Sequence, residues 1–360
     1  MRATRVEIDL GALRHNLGRA REAAPGTRTM AAIKADGYGH GLVRVARALQ
    51  EDADALAVAC IDEALSLREE GVEGTIVLLE GFFQAEELPL FRDLGLEAVV
   101  HHPRQLELLE QARLDGGVRV WLKVDSGMHR LGFLPEAVPA AWERLLRCQA
   151  ADPVGFMTHL ARADDKADPA TGEQLAAFHR ATGELGGLHS VANSAGVLGW
   201  PETHGHWNRP GIMLYGVSPF LGGRGPVEGL KPAMTLRSEL IAVNHLRQGD
   251  AVGYGGTWVC PEPMPVGVVA AGYGDGYPRH APSGTPVLVN GRRVPLVGRV
   301  SMDMLSVDLR SQPEAAVGDP VTLWGEGLPV EEIADAAGTI AYELLCGITQ
   351  RVQRIERESG

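Results

Sequence analysis

Residues 29–49 read TMAAIKADGYGHGLVRVARAL. A short apolar run, Thr29–Ile33, gives way to a polar, glycine-rich turn carrying Lys34. Leu42, Val45, Ala46 and Leu49 then follow at the i, i+3, i+4, i+7 spacing of an amphipathic helix. Strand, turn and helix in that order form one repeat of an α/β fold, and outward from this stretch the unit recurs. Further apolar runs lie at Ala55–Cys60, Thr75–Glu80, Glu97–Val100, Val118–Val124, Val154–His159, His189–Ala192 and Gly211–Tyr215. Helical patterns fall between them, more loosely at Leu106, Leu108, Leu109 and Ala112, and another opens at Leu175, Ala176 and Phe178. The runs are apolar without alternation, which fits parallel strands buried on both faces. Eight strand–helix units in about 190 residues predict a (β/α)8 TIM-like barrel. An open doubly wound sheet is the alternative that periodicity leaves standing.

After Ser218 the pattern changes. SPFLGGRGPVEG, residues 218–229, reads as a linker. Beyond it come short strand-like runs at Thr235–Val243, Val266–Ala271, Pro286–Val289, Arg293–Val297, Leu305–Leu309 and Pro320–Leu323, with one helix near Val330–Ala337. Asn290–Gly291 signals a hairpin. The expected division is a barrel over residues 1–225 and a mostly β domain over 226–360. The opening RVEIDL reads as an extra strand that could join either domain, followed by a helix capped by Asp9.

The chain has 360 residues, of which 45 % are apolar and 22 % charged, a globular mixture that excludes disorder and fibres. Its formal net charge of −12 argues against nucleic-acid and anionic-membrane partners, which need a cationic surface. The four cysteines, Cys60, Cys148, Cys260 and Cys346, form no CxxC pair, which fits a reducing compartment and no zinc site. No segment reads as a signal peptide or a membrane span, so the expected location is the cytoplasm.

Barrel active sites lie at the C-terminal ends of the strands. Lys34 ends the first strand there, Lys123 the fifth with Arg130 in the loop beyond, and Thr158–His159 the sixth. Asn193–Ser194 ends the seventh, and Asn208–Arg209–Pro210 precedes the expected eighth at Gly211. Singly, each residue has a plain explanation: a solvated lysine, a surface arginine, a barrel histidine, a helix-capping serine. Together they make a cationic rim without a carboxylate cluster, so no metal is expected. Glycines and a serine after strands seven and eight occupy the usual phosphate position of barrels. A lysine beside such a site predicts a Schiff base with pyridoxal 5′-phosphate.

The chain resembles the alanine racemase family over nearly its whole length. The resemblance is carried by AAIKADGYGHG (31–41), WLKVDSGMHRLG (121–132), TH (158–159), NSAG (193–196) and NRPGIMLYG (208–216). VGYGGTW (252–258), AGYGDGYPR (271–279), VGRVSMD (297–303) and AYELLCGI (341–348) extend it into the second domain. Ser301 stands where the family often has Cys. The resemblance implies that Lys34 carries the cofactor, and that Tyr38, Ser194, the backbone of Gly211 and Ile212, and the Tyr342 hydroxyl hold its phosphate. It implies Arg130 at the cofactor's phenolic oxygen and the substrate carboxylate, Arg209 at the pyridine nitrogen, and Tyr254 of a partner subunit as the second base. It further implies that Met302 of the partner helps bind the carboxylate, that Tyr273 and Tyr342 crowd the entrance, and that Lys123 can be carbamylated.

A planar carbanion has two faces, so two bases on opposite sides invert it without a large swing of either. An ordinary tyrosine ionises near pH ~10, so a cationic chain such as His159–Arg209 is expected to favour the phenolate. A permanently charged Arg209 would keep the ring nitrogen unprotonated and suppress transamination. The expected function is therefore interconversion of L- and D-alanine by a homodimer with shared active sites. A broad-specificity amino-acid racemase, a barrel-type decarboxylase and a non-catalytic pyridoxal-phosphate-binding protein are the alternatives.

Overall fold

The computed structural model describes residues 3–358. The chain divides into two compact units. One covers Leu13–Leu214 and Pro219–Leu221; the other covers the described residues up to Ala12, Tyr215–Ser218 and the described residues from Gly222 onward.

The first unit is built on eight parallel strands that close into a barrel: β2 (Arg28–Ala32), β3 (Ala55–Val58), β4 (Ile76–Leu78), β5 (Leu96–Val100), β6 (Val118–Lys123), β7 (Ala151–Met157), β8 (Leu188–Ser190) and β9 (Trp207–Asn208). Closure is made by β9 against β2, Arg28 opposite Trp207. The expected barrel is therefore present, with one correction: its eighth strand is Trp207–Asn208, and the run expected as that strand ends instead in a 3-10 turn at Ile212–Tyr215. Ile212, Met213, Leu214 and Tyr215 are all buried, so burial without alternation marked the core but not the strand.

Inside the barrel, Met30, Ala55, Ala57, Val77, Val99, Trp121, Met157 and Trp207 form one cluster. The two indoles meet edge to face with centroids 6.3 Å apart, and the small Ala55 and Ala57 make room for them. Trp121 donates its Nε1–H to Glu97 Oε2 (2.7 Å), and Arg119 Nε–H takes the other carboxylate oxygen (2.7 Å), so this buried acid is satisfied. Truncating Trp121 to alanine is expected to cost about 3–5 kcal/mol. The helix Leu42–Leu49 buries Leu42, Val45, Ala46 and Leu49, the stripe its spacing predicts.

The second unit carries β1 (Arg5–Asp9), β10 (Met234–Leu246), β11 (Ala251–Val252), β12 (Trp258–Val259), β13 (Met264–Val269), β14 (Pro286–Val289), β15 (Arg292–Val297), β16 (Leu305–Asp308), β17 (Pro320–Trp324) and β18 (Gln353–Arg357). Its main sheet runs β13-β16-β15-β14-β17-β10-β1-β18, and β10 also pairs with β13, which closes six of the strands into a circuit. The long β10 serves both neighbours by means of register shifts after Leu236 and Leu240. The first strand joins this unit, antiparallel to β10 and parallel to β18. Asp9 Oδ1 then accepts from Ala12 N (2.9 Å) and caps the helix Leu10–Ala23, as the sequence predicts. Asn290 and Gly291, with φ of 50° and 75°, make the two-residue β14–β15 turn. The helix Val330–Ala337 falls where expected; a further helix, Ala341–Cys346, was not expected.

Candidate active site

The parallel strands of the first unit deliver a set of cations to one rim. Lys34 stands two residues beyond β2, Lys123 is the last residue of β6, and Arg209 directly follows β9. The loop after β6 is pinned back on itself by Phe133 N donating to Lys123 O (2.9 Å) and Asp125 N donating to Phe133 O (2.9 Å), and it carries the exposed Arg130.

Arg209 is only 5 % exposed. Its Nη1 donates to Ser190 Oγ (2.6 Å), and its Nη2 donates to Thr158 O and to Val191 O (3.2 Å). None of these acceptors is anionic. Burial alone pushes its pKa down to about 10, which leaves it charged at neutral pH. Thr158 is itself fixed by a 2.8 Å bond between its hydroxyl and that of Ser126. Among the described residues, Lys34, Lys123, Arg130 and Arg209 form no ion pair.

The crowding disfavours further positive charge on its buried members. Burial holds Lys123 well below the ordinary lysine range, with Arg209, Arg130 and Lys34 adding repulsion and Asp125 opposing it. Burial likewise holds His159 well below its usual value, with Lys123, Arg209, Arg130 and Lys34 acting in the same sense. His159 is thus a neutral imidazole at the rim. The expected His159–Arg209 chain is not among the hydrogen bonds of Arg209, whose three acceptors are Ser190, Thr158 and Val191.

A second cluster adjoins Gly211. Ser194 Oγ accepts from Gly211 N (2.8 Å) and Met213 N (3.3 Å) and is buried. A Cβ at Gly211 would sit 2.6 Å from Tyr38 Oη, so only glycine lets the Tyr38 hydroxyl, the Ser194 hydroxyl and this stretch of backbone converge. That is a cradle for a small oxyanion, beside a rim with surplus positive charge. Tyr38 is carried there by an unusual turn. Ala35, Asp36, Gly37, Tyr38 and Gly39 all have positive φ, between 52° and 79°. Each non-glycine residue so placed costs about 1–2 kcal/mol, and strain of this kind gathers at functional sites.

In the other unit, Tyr254 opens a 3-10 turn after β11 and is 68 % exposed; Met302 is 53 % exposed. Tyr273 and Met302 are neighbours, since Tyr273 N donates to Ser301 O (3.0 Å) and Gly274 N to Met302 O (2.8 Å). Arg351 ties both turns, donating from Nε to the buried Asp275 (2.8 Å) and from Nη1 to Asp303 (2.8 Å). Tyr342 is the second residue of the helix Ala341–Cys346, which follows the exposed Ile340.

Sequence reasoning missed Ser190 and Ser126. Ser190 was visible only as a hydroxyl at the end of a short strand, beside His189. Among the described residues, no group of three or more His, Cys, Asp or Glu is arranged to hold a metal ion, and no helix is long and apolar enough to cross a membrane. A separate cavity, lined by His179, His189, Glu202, His204 and His206, lies by the segments leading into the barrel strands, away from the cationic rim.

Two family models match the chain: "Alanine racemase, N-terminal domain" over residues 8–219 and "Alanine racemase, C-terminal domain" over residues 233–356. The alanine racemase of Halorhodospira halophila is 58 % identical over 355 residues, covering 98 % of this chain and 97 % of that one. That of Coxiella burnetii is 53 % identical over 363 residues, 99 % of each chain. Among solved structures, a biosynthetic alanine racemase from Pseudomonas aeruginosa superposes with a TM-score of 0.96 at 48 % identity, covering 100 % of both chains. The alanine racemase of Acinetobacter baumannii gives 0.92 at 38 %, covering 99 % of this chain and 100 % of that one.

Proposed function

We propose that this chain, which belongs to the alanine racemase family, interconverts L- and D-alanine with pyridoxal 5′-phosphate held at the cationic barrel rim. The observation that carries this reading is the buried, charged Arg209, paired with no carboxylate and accompanied by Lys34, Lys123 and Arg130. Such a surplus calls for an anionic ligand.

The residues fit that cofactor. Lys34 would hold it covalently. The hydroxyls of Tyr38 and Ser194 and the backbone at Gly211 and Ile212 would take the phosphate, with Tyr342 contributing its hydroxyl. Arg209 has five N–H donors; three are used by Ser190, Thr158 and Val191, which leaves about two to face the ring nitrogen. A guanidinium there keeps that nitrogen unprotonated and disfavours transamination. When bound, the cofactor supplies an electron sink that lets the α-carbon of alanine release its proton.

The protein groups then do the rest. The Lys34 amine holds or returns a proton on one face of the α-carbon, and the Tyr254 phenol, from a partner subunit, serves the other. Arg130 fixes the substrate carboxylate, with the partner's Met302 turn beside it. Tyr273 and Tyr342 narrow the approach to suit a methyl side chain. His159, kept neutral by burial and four nearby cations, supplies a hydrogen-bonding ring without adding charge. Lys123 has its amine's basicity depressed, and a neutral amine is the form that adds carbon dioxide. The carbamate so formed, with release of one proton, would give Arg130 an anionic partner. The exposure of Tyr254, Tyr273, Met302 and Tyr342 supports a homodimer that covers them. The four cysteines, all free, fit the cytoplasm.

The test is chiral analysis of L-alanine incubated with the cofactor-saturated protein, with L-serine as competitor. The expected result is approach to an equal mixture of alanine enantiomers with serine turned over far more slowly. No D-alanine from cofactor-saturated protein would refute the reading, and equal serine turnover would move it to a broad-specificity racemase.

A further inference from the structure

The left-handed turn that carries Lys34 is held from outside by a residue that neither the motifs nor the comparisons single out. Glu63 lies in the first turn of the helix Ile61–Glu69, just after β3. Its Oε1 accepts from Ala35 N at 2.7 Å and, more weakly, from Asp36 N at 3.4 Å. Its Oε2 accepts from Ala59 N at 2.8 Å. Among the described residues this carboxylate has no cationic partner; its contacts are all backbone amides. The Ala35 amide belongs to the peptide bond that leaves Lys34. Glu63 therefore anchors the peptide plane of Lys34 to the end of β3, a rigid barrel strand, at the entry of five consecutive residues with positive φ. His40 Nδ1 reaches the carbonyls of Gly37 (3.0 Å) and Tyr38 (2.9 Å) from within the turn, and Asp36 Oδ1 accepts from Leu42 N (2.8 Å) at its exit. Glu63 ties the turn to the neighbouring barrel strand through Ala59, directly after β3.

We propose that Glu63 is a positioning residue for Lys34: it holds the strained turn in its left-handed form and so fixes where the amine meets the cofactor. This rests on the reading of Lys34 as the cofactor-bearing lysine. Charge-assisted hydrogen bonds to backbone amides are strong enough to offset the strain. In Glu63→Gln only one oxygen remains, and the new amide N–H meets a backbone N–H. In Glu63→Asp the charge stays, but the shorter side chain cannot span Ala35 and Ala59 together.

The experiment titrates pyridoxal phosphate into apoprotein and follows absorbance, then reduces with borohydride and maps the modified peptide. Both substitutions are expected to weaken cofactor binding roughly tenfold to a hundredfold. They should also lower kcat while the KM for alanine stays within about threefold. Adding Ala35→Gly to Glu63→Gln removes the Cβ penalty at φ +55° and should restore at least about threefold of the lost affinity. A purely structural role would lower the apoprotein's Tm without moving cofactor affinity or responding to Ala35→Gly. Wild-type affinity and kcat in both single variants, or no rescue by the glycine, would overturn the proposal. Wild-type protein that traps no cofactor on Lys34 would instead sink the parent reading, and this one with it.

Discussion

The barrel rim and the turn cluster of the β-rich unit spend their charges in opposite ways. At the rim, Lys34, Lys123, Arg130 and Arg209 are brought together by three different strands and, among the described residues, are left without ion pairs. In the β-rich unit, Arg351 is neutralised by Asp275 and Asp303, and what the turns leave uncovered is Tyr273, Met302 and, further along the chain, Tyr254. One region keeps its electrostatics for a small anion, where buried cations demand a partner. The other settles its charges internally and leaves apolar and aromatic surface exposed, which is how protein partners are met. The proposed reaction, with a fixed anionic cofactor and a second base delivered by a partner subunit, would use one region of each kind.

The contrast can be broken or sharpened by experiment. Lys34→Ala should give the largest effect, at least a thousandfold loss of racemisation together with loss of the borohydride-trapped adduct. Tyr254→Phe should lower racemisation by about a hundred- to ten-thousandfold. It should still let one enantiomer, and not the other, exchange its α-proton with solvent deuterium, because the lysine face stays intact. Met302→Asp, which leaves the rim untouched, should shift sedimentation toward monomer and lower activity by about tenfold or more, with only partial recovery as protein concentration rises, since the new carboxylate also faces that of the substrate.

The smallest effect is on pH. Burial lowers the pKa of His159, His101 and His189, the last two being only half-buried. Each binds fewer protons folded than unfolded once the pH falls below the unfolded value of about 6.5. Their contribution to stability is therefore complete above that pH and is lost as it falls toward the depressed folded values. Melting temperature should drop between pH 7.5 and pH 5.5, and His189→Gln should shrink that drop. A flat profile would contradict the assignment of neutral rim and barrel histidines.

Much of the barrel was readable because its strands are short, mostly apolar runs without alternation and its helices keep a clear stripe, as at Leu42, Val45, Ala46 and Leu49. The eighth strand was not. Trp207–Asn208 is two residues long, and the buried Ile212–Tyr215 beside it looked the better strand. The helix Ala341–Cys346 is one and a half turns and offers no periodicity to read. The rim residues were legible because barrel topology assigns strand ends to one face. The left-handed turn was not, since Ala35, Asp36 and Tyr38 have no local preference for positive φ strong enough to mark it; Glu63 and Ser190 act through backbone and side-chain partners far away in sequence. The side on which the first strand pairs was settled only by β10 and β18, more than 200 residues later.

Mixed dimers test the division of labour most directly. Lys34→Ala and Tyr254→Phe chains, each inactive alone, are unfolded, combined in equal amounts and refolded, and alanine racemisation is measured. If each site takes its lysine from one chain and its phenol from the other, half of the dimers hold one intact site, and activity should approach about a quarter of wild type. If the mixture stays inactive although hybrid dimers are shown to form, the two bases do not come from different subunits and the account is wrong.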